Sequence, residues 1–253
     1  MPYGQTLIAA LVAGLPSVGL AACDVQSGPG TAALVELYTS EGCSSCPPAD
    51  RQLGQLRQDA TLVPLALHVG YWDDLGWRDP YAQDGFAKRQ SALVELGGAR
   101  AVYTPQFFVG GTAVRPTAVA DRVRQLNGQA PEARIHLQAH VEGGDRLAIS
   151  ATAESAIAHA ALYLAVAENG LSSQVRDGEN RGRRLSHDHV VRTWIGPLAL
   201  HGGSVALERS IPLAPTWQLD QLEISTFVQD QNSGRVLQAV GASQCADAGE
   251  AGS

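Results

Sequence analysis

The stretch Val35-Glu36-Leu37-Tyr38-Thr39-Ser40-Glu41-Gly42-Cys43-Ser44-Ser45-Cys46-Pro47-Pro48-Ala49-Asp50 decides how the rest of the chain is read. It begins inside an apolar run, residues 32–38, broken by one acidic side chain, Glu36. It leads into Asp50–Gln58, where Leu53 and Leu56 stand at helical spacing. Two cysteines three apart, between a strand and a helix, can close a small-loop disulfide across one helical turn. The first then sits near the helix N-terminus, where unpaired N–H groups and the dipole favour thiolate. Attack by Cys43 on a partner disulfide gives a mixed disulfide, and Cys46 resolves it. Pro47 and Pro48 suit that place, because the first turn of a helix has N–H groups without partners.

Working outward, Thr61–Val69 reads as a second apolar strand and Asp84–Leu96 as a helix stopped by Gly97-Gly98. Gln106–Val109, Gly110-Gly111 and Thr112–Val114 read as a hairpin, and Thr117–Leu126 as a helix ended by Asn127-Gly128. The order is an α/β layer plan. In that setting a C-x-x-C reads as a thioredoxin-like redox motif. Past Pro131 the texture changes. Ile135–Val141, Arg146–Ala151, Ala160–Ala167, Val190–Ile195, Gly203–Ile211, Leu222–Gln229 and Val236–Val240 read as strands. Their spacing predicts an antiparallel β-sandwich-like domain. Residues 168–189 read as one long loop. The expected division is a thioredoxin-like domain over 31–128 and a β-sandwich-like domain over 132–245, with a disordered tail at 246–253.

Thr104-Pro105 opens the apolar strand before the glycine hairpin. It resembles the thioredoxin-fold segment in which a cis-proline faces the cysteine pair. Cis X-Pro bonds make up only about 5–6% of those in folded proteins, so this expectation is specific. The alternative is a trans proline opening an edge strand. The loop after the second strand, His68–Pro80, carries Trp72, Asp73 and Trp77. Loops at the carboxyl ends of strands line crevices in open α/β sheets. Trp72 and Asp73 are therefore candidates for the rim of the site, the alternative being that the tryptophans cover a domain edge.

These blocks, together with Gly178–Arg192, resemble the bacterial family called domain of unknown function 1223, secreted thioredoxin-like proteins. The resemblance spans nearly the whole mature chain. It implies a thioredoxin-like domain with a β-rich C-terminal part, and supplies no substrate. Thioredoxins also carry an acidic residue in the strand beneath the disulfide, which helps proton transfer. That implies such a role for Glu36, against the alternative of a solvent-facing carboxylate. The sequence departs from ordinary thioredoxins in three ways: no tryptophan precedes Cys43, Ser44-Ser45 separates the cysteines, and the segment before Pro105 is longer.

The 253 residues are 45% hydrophobic and 17% charged, with a formal net charge of −7. That composition excludes a long disordered chain. No uninterrupted apolar run reaches the ~20 residues of a membrane span. Of 18 basic residues all but Lys88 are arginine, with no basic block, so nucleic acid is not an expected partner. Residues 1–22 carry no charge and end Leu20-Ala21-Ala22-Cys23, which reads as a signal peptide, although the usual positive start is missing. The same four residues match a lipidation site at Cys23, which would be a lipid anchor. Either reading places the mature chain in the periplasm or outside the cell, where disulfides persist. If Cys23 is not lipidated, it can pair with Cys245 and join the two ends.

The leading expectation is an exported thiol–disulfide oxidoreductase. Cys43 and Cys46 are catalytic, Pro105, Thr104, Glu36, Trp72 and Asp73 support them, and the partner is a protein thiol or disulfide client. No cofactor is expected, and no P-loop, dinucleotide fingerprint, nucleophile elbow or zincin motif is found. Two alternatives stand beside it. One is a periplasmic copper-handling protein using Cys43, Cys46 and His68, since thiolates and imidazole suit that metal. The other is a non-catalytic binding module with a structural disulfide. His187-Asp188-His189 reads as the flank of a loop-to-strand transition, or as a weak metal candidate.

Overall fold

In the computed structural model the described residues are 22–243. The expected signal segment, the tail and Cys245 lie outside them, apart from Ala22. The first half runs β1 (Ala22–Gln26), β2 (Ala33–Thr39), α1 (Pro47–Gly54), β3 (Leu62–His68), α2 (Asp84–Leu96), β4 (Gln106–Val109), β5 (Thr112–Val114) and α3 (Val119–Asn127). Every residue of β2 is buried, and so is β3 after Leu62. Strands apolar on both faces need cover on both. Odd-numbered Ala33, Val35 and Leu37 face Ala49 and Leu53 of α1 and Val119 and Leu126 of α3. Even-numbered Leu34 and Tyr38 face Phe86, Leu93 and Val94 of α2. β2 and β3 pair in parallel, β4 lies antiparallel to β2, and β5 closes the edge.

The second half is β6 (Ala133–Glu142), β7 (Arg146–Ser155), β8 (Ala160–Glu168), β9 (Leu171–Gln174), β10 (Arg184–His187), β11 (Val190–Ala199), β12 (Ser204–Pro212), β13 (Leu222–Asp230) and β14 (Val236–Ser243). β6 and β7 alternate between buried and exposed residues, the pattern of a sheet with one face in solvent. They form a four-stranded sheet in the order β1-β6-β7-β12. Ile135, Leu137, Leu147 and Ile149 on its inner face pack on Leu162, Leu164, Ile224 and Leu237. Those partners belong to the larger sheet, ordered β14-β13-β8-β11-β3-β2-β4-β5. The whole is a mixed α/β architecture dominated by strands.

Three features differ from the sequence reading. Strands from both sides of residues 128–132 share the eight-stranded sheet, through the parallel bridge Val190↔Ala66. Strand spacing carries no sign of a partner that remote. The 168–189 segment is not all loop: β9 and β10 pair as a hairpin. Its alternation, Leu171 and Leu185 among serines and charges, is too polar to stand out. And α1 starts at Pro47, because prolines at its first two positions preset the helical φ.

Glu36, even-numbered, lies on the α2 side of β2. Its carboxylate takes a two-pronged bond from Arg89, Nε to Oε1 at 2.7 Å and Nη2 to Oε2 at 3.2 Å. The guanidinium also lies 4.9 Å from the ring centres of Tyr163 and Trp194 and 5.2 Å from that of Phe227. Burial lowers the pKa of Arg89, but Glu36 outweighs it and raises it, so the guanidinium keeps its charge. The Glu36 side chain is 0% exposed. Removing one charge strands the other. Glu36→Gln should cost about 3 kcal/mol, read by urea denaturation, and leave the alkylation rate of reduced Cys43 unchanged.

Candidate functional site

The turn between β2 and α1 carries the cysteines. Cys43 N–H donates to the Ser40 carbonyl at 3.2 Å, and Cys46 N–H donates to the Cys43 carbonyl at 3.2 Å. Cys46 is the N-cap of α1, and its carbonyl accepts the amides of Ala49 and Asp50. The pair forms a disulfide with Cα atoms 5.4 Å apart. Both residues are buried. The Ser45 hydroxyl donates to Cys43 Sγ at 3.3 Å. The Thr104 carbonyl oxygen stands 3.7 Å from the same sulfur, and the Thr104–Pro105 peptide is cis. Trp72 Nε1 donates to Thr104 Oγ1 at 2.7 Å. A Cβ on Gly42 would meet Trp72 Cβ at 2.8 Å, so only glycine allows the indole so close.

Cys43, Cys46, Trp72, Thr104 and Pro105 are thus brought together from three separate segments. Asp73 stands one position behind them. Its Oδ1 accepts the Asp79 amide at 3.2 Å and ties the loop, and burial raises its pKa. Glu36 is not brought in; it faces α2 while the cysteines cap α1. Cys23 is on β1, and the expected partner Cys245 lies outside the described residues.

The sequence reading missed a buried polar network beneath the cysteine loop. Glu41, two residues before Cys43, is 0% exposed. Its carboxylate accepts Trp77 Nε1 at 2.7 Å and pairs with His187 Nε2 at 3.0 Å. Its amide donates to Asp79 Oδ2 at 2.8 Å, and the same oxygen pairs with His68 Nδ1 at 2.7 Å. Asn180, also fully buried, donates to the carbonyls of Glu41 and Cys43 at 2.8 and 2.9 Å. Glu179 accepts the Ser44 amide at 2.9 Å. On α1, Asp50 accepts the Thr39 hydroxyl at 2.6 Å. Behind Thr104, the buried Gln90 of α2 donates to the Tyr103 carbonyl at 2.9 Å. Glu179, Asn180 and His187 all come from the β9–β10 arm. The signal that points to them is the block Gly178–Arg192, one of the stretches carrying the family resemblance.

The electrostatics follow from burial. Burial pulls the His68 pKa down, but Asp79, Asp50 and Glu41 outweigh it and raise it. Burial pushes Asp79 up, but the charge and hydrogen bond of His68 hold it below the usual range. Burial raises Asp50, partly offset by His68 and His187. His68 Nε2 and His187 Nδ1 are buried and find no hydrogen-bond partner among the described residues. Among the described residues no group of three or more His, Cys, Asp or Glu is arranged to hold a metal ion, so Cys43, Cys46 and His68 do not assemble as a ligand set.

The profile of the family described as "Protein of unknown function (DUF1223)" matches residues 34–229, and the chain belongs to that family. The match contains every residue of the site just described. The fold is similar to that of the crystal structure of protein AGR_C_4864 from Agrobacterium tumefaciens. The TM-score is 0.61 at 24% identity, over 85% of this chain and 95% of that one. At that identity the likeness is one of fold. Among curated proteins none matches this chain.

A pH dependence follows from the His68–Asp79 pair. An imidazole whose folded pKa lies above the unfolded value of about 6.5 contributes stability that is full below that value. The contribution is lost as pH rises through the raised folded value. Asp79, depressed, contributes above its unfolded pKa and loses that contribution as pH falls through its lower folded value. Asp79→Asn should therefore lower stability near neutral pH and flatten the decline above about pH 6.5. Thermal melts of the wild type and variant across that range measure both; parallel slopes would contradict the account.

Proposed function

We propose that this is an exported thioredoxin-like protein whose Cys43–Cys46 pair exchanges disulfides with a polypeptide client. The observation that carries the reading is the disulfide at the N-terminus of α1 with the cis Thr104–Pro105 peptide beside it. The strand order β3-β2-β4-β5, with the cysteines on the turn from β2 into α1, supports a thioredoxin-like arrangement. The apolar Leu7–Ala22 run and a disulfide within the chain support a periplasmic or secreted location. Tyr71, Leu75, Val102 and Tyr103 stand exposed in the two loops that frame Cys43. Such apolar groups suit a polypeptide better than a small thiol.

In the oxidising direction, a client thiol loses its proton to solvent and its sulfur attacks Cys43 Sγ. The Cys43–Cys46 bond breaks, and Cys46 leaves as a thiolate that takes up a proton. A second client thiolate attacks the client sulfur of the mixed disulfide, and Cys43 leaves. The client loses two electrons and the protein gains them; the reducing direction retraces the same steps.

An insulin-reduction assay and a scrambled-disulfide assay test this. Wild type should be active and Cys43→Ser inactive; equal activity in the two overturns the reading. Tyr103→Ser should lower efficiency toward a protein substrate by about fivefold, the equivalent of ~1 kcal/mol for one aromatic contact. Exchange of the same variant with glutathione should be unchanged.

A second reading, a non-catalytic module, is favoured by the full burial of both cysteines. It expects a reduction potential below about −300 mV and slow alkylation of reduced Cys43. Fast alkylation at mildly acidic pH would exclude it.

A further inference from the structure

We propose that His187, paired with Glu41 across the two halves of the chain, is a positioning residue that sets how readily Cys43 forms its thiolate. This rests on the reading of Cys43–Cys46 as an exchange site, and adds to it the group that tunes it.

The first support is how completely Glu41 is held. Its amide binds Asp79, its carbonyl binds Asn180, and its carboxylate oxygens bind Trp77 and His187. Because Asn180 grips the Cys43 carbonyl with the same amide, the carboxylate and the attacking sulfur sit on one rigid turn. A buried carboxylate two residues away opposes a second negative charge forming at Cys43. An imidazolium bound to that carboxylate cancels the opposition. The thiolate fraction of Cys43 then depends on whether the Glu41–His187 pair is anionic or neutral.

The second support is the setting of the His187 ring. One ring nitrogen binds Glu41, and Nδ1 is buried with no partner among the described residues. The ring of His68, with its own unpartnered Nε2, stands 5.0 Å away centre to centre. The groups facing this pair come from every neighbouring element. α1 supplies Asp50, whose charge both histidines feel. The loop after β3 supplies Asp79 and Tyr81, the Tyr81 ring lying 5.7 Å from His187. From β11, Arg192 lies over the Tyr81 ring, 5.5 Å from its centre. Asp188, next in the chain, turns away to accept the Gly170 amide. Three carboxylates and two imidazoles with open nitrogens make a proton-storing cluster under the cysteine turn.

The experiment uses the full chain, reduced, with the alkylation rate of Cys43 followed against pH by mass spectrometry. The midpoint of the profile reports thiolate formation; the plateau at high pH reports access to the sulfur. H187Q keeps a donor for Glu41 and removes the charge, so its midpoint should rise by about one pH unit. The rate at mildly acidic pH then falls about tenfold. E41Q removes the opposing carboxylate, and its midpoint should fall. A merely structural role would raise the plateau in both variants and leave the midpoints in place, and that result overturns the proposal. If H187Q does not fold, the E41Q midpoint decides alone: a fall supports the proposal, and no change or a rise overturns it. Wild-type exchange with glutathione is measured in parallel. If it is absent while the midpoints move as stated, the exchange reading fails and the His187 coupling stands.

Discussion

The arrangement depends on one seam. The Ala66 amide of β3 donates to the His189 carbonyl at 2.8 Å, and Val190 follows it into the larger sheet beside Ala66. His189 sits at φ 58, in left-handed space that a branched or bulky side chain avoids. Three bonds hold it there. Its amide donates to Asn169 Oδ1, Nδ1 pairs with Glu223, and Nε2 reaches the Leu56 carbonyl just past α1. The seam turns the chain out of β10 and into β11 at one fixed place. That place puts His187, two residues earlier, under the cysteine turn, and carries the rest of the β9–β10 arm against it. The cysteine turn is therefore shaped by residues more than a hundred positions away, and only because the two halves share a sheet.

Much of the site was legible because its signals are local. Cys43 and Cys46 are three apart, Pro105 opens a strand, and Trp72 follows a strand end; each is visible within a short window. Their convergence follows from the strand order. Glu36 shows where local reading stops. Being in the right strand did not bring it to the cysteines, because strand parity sends even-numbered residues to α2 and odd-numbered ones to α1. Parity was readable, but assigning faces required knowing which helix covers which side. Asn180 and His187 lie in a block that the family resemblance marks, but their place beneath the cysteines was hidden for another reason. Their hairpin is short and polar, and its apolar residues are outnumbered by arginines and serines, so no periodicity announces it.

The two buried ionic centres on either side of β2 show how burial separates structural charge from chemical charge. At Arg89, each nitrogen has a partner: Glu36 takes Nε and Nη2, Gln229 Oε1 accepts Nη1 at 3.0 Å, and three aromatic rings surround the cation. A guanidinium does not lose its proton in proteins, so that centre has one charge state and serves only the fold. At Glu41 the carboxylate is equally buried, but its partner is an imidazole, the type of side chain whose ordinary titration range lies near neutral pH. An unpartnered buried nitrogen costs stability. Two of them, on neighbouring rings beside the cysteine turn, are a cost that a purely structural centre avoids, as the Arg89 centre does in the same molecule. The contrast lies in the choice of cation, arginine on the face away from α1 and histidine on the face beneath the sulfurs. That choice makes one centre rigid in charge and leaves the other able to respond when the charge on Cys43 changes.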